Sequence, residues 1–201
     1  MKERPILMSA PMVLAILDGR KTMTRRVAKQ QPGPTTFGYT ELLPGHFKPV
    51  RSLREFVGDI GSEDHKKALD EFWADENNET LICPYGQPGD RLWVRETWFN
   101  PDHEAYHWAC PVCKTTYYKA TDDPEEWPWK SPIFMPRWAS RILMERTEDA
   151  RVERLEDITE EDAKREGFGS RVEFLEYFYK LMPKMRGLNP WVWAIAFKRL
   201  P

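Results

Sequence analysis

Nothing in these 201 residues approaches the run of ~18 apolar residues that a membrane helix requires. An excess of one charge is missing too: 30 Lys and Arg face 32 Asp and Glu, a net of −2 at pH 7. That balance excludes a protein coated in basic surface, such as a histone-like DNA binder, but it permits a local basic groove. Cysteine is scarce and odd in number, three in all, which fits a reducing compartment better than a disulfide framework. The start, Met1-Lys2-Glu3-Arg4-Pro5, has no apolar stretch followed by small residues. No secretory leader is expected there, so a soluble, cytoplasmic protein without membrane partners is predicted. No internal repeat is visible.

Tryptophan and proline are plentiful, nine and 17 respectively. Several tryptophans adjoin proline or charge (Trp127, Trp129, Trp138), which suits a surface or groove, whereas Trp93, Trp191 and Trp193 are expected in a β-rich core. Residues 5–9 read as a strand. Met12, Val13, Ala15, Ile16 and Leu17 then form a helical apolar face that ends at Gly19, in the place of a left-handed cap. Residues 22–27 read as a strand with Thr22, Thr24 and Arg26 on one face. Lys21 precedes it in the turn, placed to fold back over Thr24. The pattern weakens over about 29–80, where 62–73 suggests one polar helix, and again over about 99–131. Both stretches are read as insertions in a single domain spanning 1–201.

Residues 91–97 and 141–150 read as strands, the first fed by the turn Pro88-Gly89-Asp90. Thr159 with Asp162 caps a short helix that stops at Gly167. Ser170 with Glu173 makes a capping box for a helix over 171–182, and 191–198 is a buried closing strand. Short strands, few helices and no βαβ rhythm predict an α+β fold, a small β-barrel with peripheral helices and two insertions.

The densest chemistry lies at 19–26, where four cations and two threonine hydroxyls occupy eight residues. Protection of an edge strand would account for the charge alone. The alternation with hydroxyls points further. Arg20, Lys21, Arg25 and Arg26 suit phosphate oxygens. A hydroxyl beside a lysine is also the minimum for nucleophilic catalysis, provided desolvation and neighbouring cations lower the lysine pKa. Spacing alone does not choose between these.

The pattern Gly19-x-Lys21-x-x-Thr24-x-Arg26 resembles the signature of the ASCH domain, a branch of the PUA-like β-barrel superfamily. The family usually has Glu where this chain has Thr24. The same departure marks bacterial ASCH enzymes that hydrolyse N(4)-acetylcytidine through a Lys, a Thr and a later Glu. The resemblance therefore implies Lys21 as base and Thr24 as nucleophile. In Thr159-Glu160-Glu161-Asp162-Ala163-Lys164-Arg165-Glu166 it implies Glu166 as the carboxylate. Blocks at 5–27, 83–98, 135–141 and 189–201 are similar to a longer phage and prophage subgroup. They cover roughly half the chain, and both insertions fall outside them.

Glu96, at the end of a strand, is a rival carboxylate, although an ion pair with Arg95 or Arg141 is the preferred reading. Arg137 and Trp138 suit a phosphate contact and a stacked base, worth ~1–3 kcal/mol per base. Equally, they suit a proline-terminated loop whose Trp plugs the barrel end. His103, His107, Cys110 and Cys113 have spacing compatible with one structural zinc, with Cys83 a competing thiolate. No open His-rich or carboxylate-rich site accompanies them, so the chemistry is expected to need no cofactor.

The leading expectation is an RNA- or modified-nucleoside-binding protein with Arg20, Arg26, Arg137 and Trp138 lining its groove. Its enzymatic form is an amidohydrolase using Lys21, Thr24 and Glu166. The alternatives are a non-catalytic RNA-binding module, a ribonuclease and a phage-encoded protein-interaction factor.

Overall fold

The structure, a computed structural model, describes residues 1–29, 31, 38–43, 46–50, 81–100, 116–122 and 127–201, with 38–50 and Leu81 as backbone only. In chain order the elements are β1 (Glu3–Leu7), α1 (Ala10–Leu17), β2 (Met23–Val27), β3 (Gly38–Leu43), β4 (His46–Val50), β5 (Leu81–Ile82), β6 (Arg91–Arg95), β7 (Trp98–Phe99) and β8 (Tyr117–Tyr118). There follow α2 (Lys119–Asp122), β9 (Leu143–Arg146), β10 (Arg151–Arg154), α3 (Glu160–Arg165), α4 (Arg171–Leu181) and β11 (Trp191–Arg199).

β11 organises the main sheet. It pairs antiparallel with β2 along one edge, with β10 along the other over 191–194, and with β9 over 197–199. β9 pairs with β6, and β6 runs parallel to β1. The result is an α+β fold, a mixed and strongly curled half-barrel sheet with peripheral helices. Both faces of β11 are covered over 191–197, and this is why that stretch is an unbroken apolar run before the exposed Lys198 and Arg199. Trp191, Trp193, Ile195 and Phe197 enter the main core with Ile6, Ile16, Leu92 and Met144. On the opposite face Val192 packs with Leu155, Ala163, Phe174 and Phe178, and Ala194 and Ala196 pack with Met23.

The register assigns the faces of β2. Thr24 lies opposite Ile195 and Arg26 opposite Trp193, so both share the inner face. Arg25, opposite Ala194, shares the outer face with Met23. β1 and β2 both lie at ends of the sheet, as does β10, and do not pair with each other; α1 connects them and buries Met12, Val13, Ala15 and Ile16. The Arg26 guanidinium crosses that opening and donates to the Leu7 carbonyl at the end of β1. The sheet is thus a half-barrel, since β1 and β2 are not paired, and the Arg26 side chain bridges part of the gap.

The strand expected over 141–150 ends at Arg146, and a second one, β10, follows. The break has a simple cause: the chain must leave the 197–199 end of β11 before it can pair with 191–194. β3 and β4, within 29–80, form a three-stranded sheet of their own with β5, just beyond it; the helix expected over 62–73 lies outside the described residues. Among the described residues no helix is long and apolar enough to cross a membrane.

Two glycines mark the chain reversals that build the site. Gly19 ends α1 with φ +75° and open space around it. Gly167 ends α3 with φ +92°, and a Cβ there would stand 2.9 Å from the Ala15 Cβ and 3.4 Å from the Lys21 Cβ. Gly19→Ala is expected to cost about 1 kcal/mol for the left-handed backbone alone. Gly167→Ala adds a clash and should cost about 2–4 kcal/mol. Urea unfolding of the two variants measures the difference, and equal losses would remove the packing argument.

Candidate active site

Three short elements build the site. Thr159 caps α3, its Oγ1 accepting from the Asp162 N–H at 3.1 Å. The helix then runs less than two turns and leaves Glu166 at its C-terminal boundary, just before Gly167 turns the chain away. The segment before β2 runs beside it, with the Thr22 N–H donating to the Arg165 carbonyl at 2.8 Å. This docking brings Lys21 against Glu166, 145 positions apart in sequence.

Lys21 and Glu166 are 2 % and 1 % exposed and form a direct ion pair. The Lys21 ammonium also donates to the Glu166 backbone carbonyl at 3.0 Å, satisfying a group that the helix end leaves open. Burial pushes the Lys21 pKa down. The Glu166 charge and hydrogen bond oppose this without cancelling it, while Arg26 and Arg25 push the same way as burial. The Lys21 ammonium is thus engaged by Glu166, and no hydrogen bond joins it to Thr24. Thr24 is fully buried on the inner face, and its Oγ1 has no hydrogen-bond partner among the described residues.

Arg25 anchors the carboxylate side. It meets Asp162 at 2.7 Å and Glu153 at 2.5 Å, and its Nη1 donates to the Glu166 Oε1 at 3.4 Å. Arg151 adds a contact to Asp162 at 2.5 Å. The sequence suggested Arg25 for phosphate oxygens, whereas here it is held by carboxylates, and Glu153 and Asp162 were not foreseen as its partners. Their signal was present in part: Arg25 alternates with Thr24 and so must face the other side of the strand.

Asp162 gives this network a pH signature. Burial raises its pKa, but hydrogen bonds from Arg25 and Arg151 outweigh that and hold it below the ordinary aspartate range. Its folded value therefore lies below the unfolded value of about 3.9. The stabilisation is present above that pH and is lost as pH falls through the folded value. Asp162→Asn is expected to lower the melting temperature at pH 7 and to flatten the wild-type decline below about pH 4. Parallel declines in the two proteins would remove Asp162 from the account.

Of the other expected site residues, Arg20 stays beside Gly167 at the edge of the site, and Arg137, Trp138 and Glu96 make their contacts elsewhere. Arg20 is exposed and tied to Asp18 at 3.0 Å and to the Gly167 carbonyl at 3.1 Å. Arg137 pairs with Glu3 at 2.7 Å, at the opposite end of β1 from the Leu7 contact of Arg26. Trp138 is 60 % exposed and meets Trp98 edge-on at 5.9 Å, so it does not plug a core; Met135 is buried there with Trp98 and Ala139. Glu96 is buried in a bidentate pair with Arg141, both contacts at 2.9 Å, while Arg95 turns to the Met135 carbonyl. Burial raises the Glu96 pKa and Arg141 opposes the rise. Glu166, not Glu96, is the carboxylate beside Lys21.

His103, His107, Cys110 and Cys113 lie outside the described residues. Among those described, no group of His, Cys, Asp or Glu is arranged to hold a metal ion, and Cys83 is buried as a free thiol.

A pocket between β2 and α4 reaches the site, with Glu166, Arg25 and Arg26 on one wall and Met12, Tyr177 and Phe178 on another. Fold and site together define an α+β half-barrel protein with a buried lysine–glutamate pair beside an apolar pocket. Compared with known families, curated proteins and solved structures, the chain matches none.

Proposed function

We propose that this chain is an ASCH-type amidohydrolase that removes an acyl group from the exocyclic nitrogen of a modified nucleoside such as N(4)-acetylcytidine. One observation carries the reading: Lys21 and Glu166, the base and carboxylate implied by the motif, meet in a buried ion pair just ahead of the strand that holds Thr24. The depressed Lys21 pKa supports a base role, because a neutral amine is needed to accept a proton.

In this mechanism the Thr24 Oγ1 attacks the acyl carbonyl carbon while its proton passes to the Lys21 Nζ. The tetrahedral intermediate collapses by breaking the C–N bond, and Glu166 relays the proton from Lys21 to the leaving amine. Water then attacks the acyl-threonine ester, giving the carboxylic acid and restoring the Thr24 hydroxyl. Arg137 is held at the Glu3 end of β1, away from the Leu7 end that Arg26 bonds, which favours a single nucleoside over a long RNA strand.

Incubation with acetylated cytidine and, separately, with single-stranded RNA tests this when products are read by mass spectrometry. Release of cytidine and acetate with intact RNA is expected. Cleaved RNA would favour a ribonuclease. Binding of RNA that weakens steeply with salt, without any product, would favour the binding module.

A further inference from the structure

The pocket between β2 and α4 has a mismatch of charge that the proposed chemistry does not use. Lys21, Arg25 and Arg151 meet Glu153, Asp162 and Glu166 within ion-pair distance. Arg26, on the pocket wall, has no carboxylate within that distance among the described residues. Its recorded partners are the neutral Leu7 carbonyl and the Met8 sulfur at 3.1 Å. No carboxylate among the described residues bonds this half-buried guanidinium: burial lowers the Arg26 pKa, and the Glu166 charge across the pocket opposes that without cancelling it. Apart from Arg25 and Glu166, which pair with other charges, the rest of the wall is apolar or aromatic: Met12, Phe174, Phe178 and Leu181, with Tyr177 held by Ser9 at 2.5 Å.

We infer that this pocket binds a small monocarboxylate with an apolar tail, the carboxylate on Arg26 and the tail among Met12, Phe174 and Phe178. A single negative charge fits better than a phosphate dianion, because the Glu166 carboxylate lines the same pocket and would repel a second charge. An amine or a neutral alcohol would leave Arg26 unpaired. That the occupant is the acid released by deacylation rests on the hydrolase reading. The binding assignment does not. If that reading holds, the pocket selects acyl groups longer than acetyl.

Ligand-observed NMR titration of the full chain with hexanoate, hexanol and hexylamine tests the assignment. Hexanoate is expected to bind wild type at least ~10-fold more tightly than either isostere, and butanoate more weakly than hexanoate. Arg26→Gln should remove the preference for the carboxylate, and Phe178→Ala should reduce the difference between hexanoate and butanoate. Hexanol binding as tightly as hexanoate, or no hexanoate binding to wild type at millimolar concentration, overturns the inference. This comparison is made on wild type and stands even where Arg26→Gln fails to fold through loss of its bridge to β1. Hexanoate binding that is equal in wild type and Thr24→Val, with no turnover of any acylated cytidine by wild type, would discard the hydrolase and keep the pocket.

Discussion

Thr24→Val is expected to lower deacylation by about 10³-fold or more while leaving the protein as stable as wild type or slightly more so. The two effects have one origin. The Thr24 hydroxyl is fully buried without a hydrogen-bond partner among the described residues, on the face shared with Ile195. An unpaired buried hydroxyl costs a fold about 1–3 kcal/mol. Valine keeps the β-branched shape that suits a strand and replaces the hydroxyl with a methyl group beside apolar neighbours. A gain of about 1 kcal/mol in urea unfolding is therefore expected, together with loss of cytidine release. A polar group that weakens the fold and is needed for turnover has a functional reason to be there. Turnover of Thr24→Val at the wild-type rate would sink the nucleophile assignment. A stability loss of about 2 kcal/mol would show instead that the hydroxyl supports the fold.

Lys21→Met should be the most destabilising single change at the site, at about 3–5 kcal/mol, because it leaves Glu166 charged and buried without its principal partner. Arg25 is a poor substitute: its contact with Glu166 is 3.4 Å, and its short contacts go to Asp162 and Glu153. Removing both charges in Lys21→Met/Glu166→Leu should recover most of that loss, since the desolvation cost of each ion disappears with it. Both variants should be inactive. Denaturant unfolding of wild type, the two single variants and the double variant gives the coupling directly. Additive losses would mean that the pair is not coupled and would remove the case that Lys21 acts with Glu166.

Local signals in the chain mapped onto structure where the physics is local. The caps at Thr159 and Ser170 form with their expected backbone partners, Asp162 and Glu173. One detail differs, in that the Glu173 carboxylate reaches back to the Gly169 N–H and not to the cap residue itself. Trp93, Trp191 and Trp193 are buried as anticipated. Non-local pairings were not visible in this way. Strand β10 escaped notice because Arg151, Val152, Glu153 and Arg154 carry mostly charged side chains, and three of these serve ion pairs or a cation–π contact.

The sequence by itself determined that Thr24 and Arg26 share one face, that Gly19 and Gly167 end helices, and that α3 is capped at Thr159. Each depends on backbone periodicity or hydrogen bonding within a few residues. Only the tertiary structure decided that Glu166 and not Glu96 faces Lys21, that Arg25 holds three carboxylates, and that Arg26 spans the open side of the half-barrel. Those outcomes depend on which strands pair across more than a hundred residues and on the depth at which each charge is buried. A buried charge takes whichever opposite charge the fold delivers, and sequence spacing does not reveal which one that is.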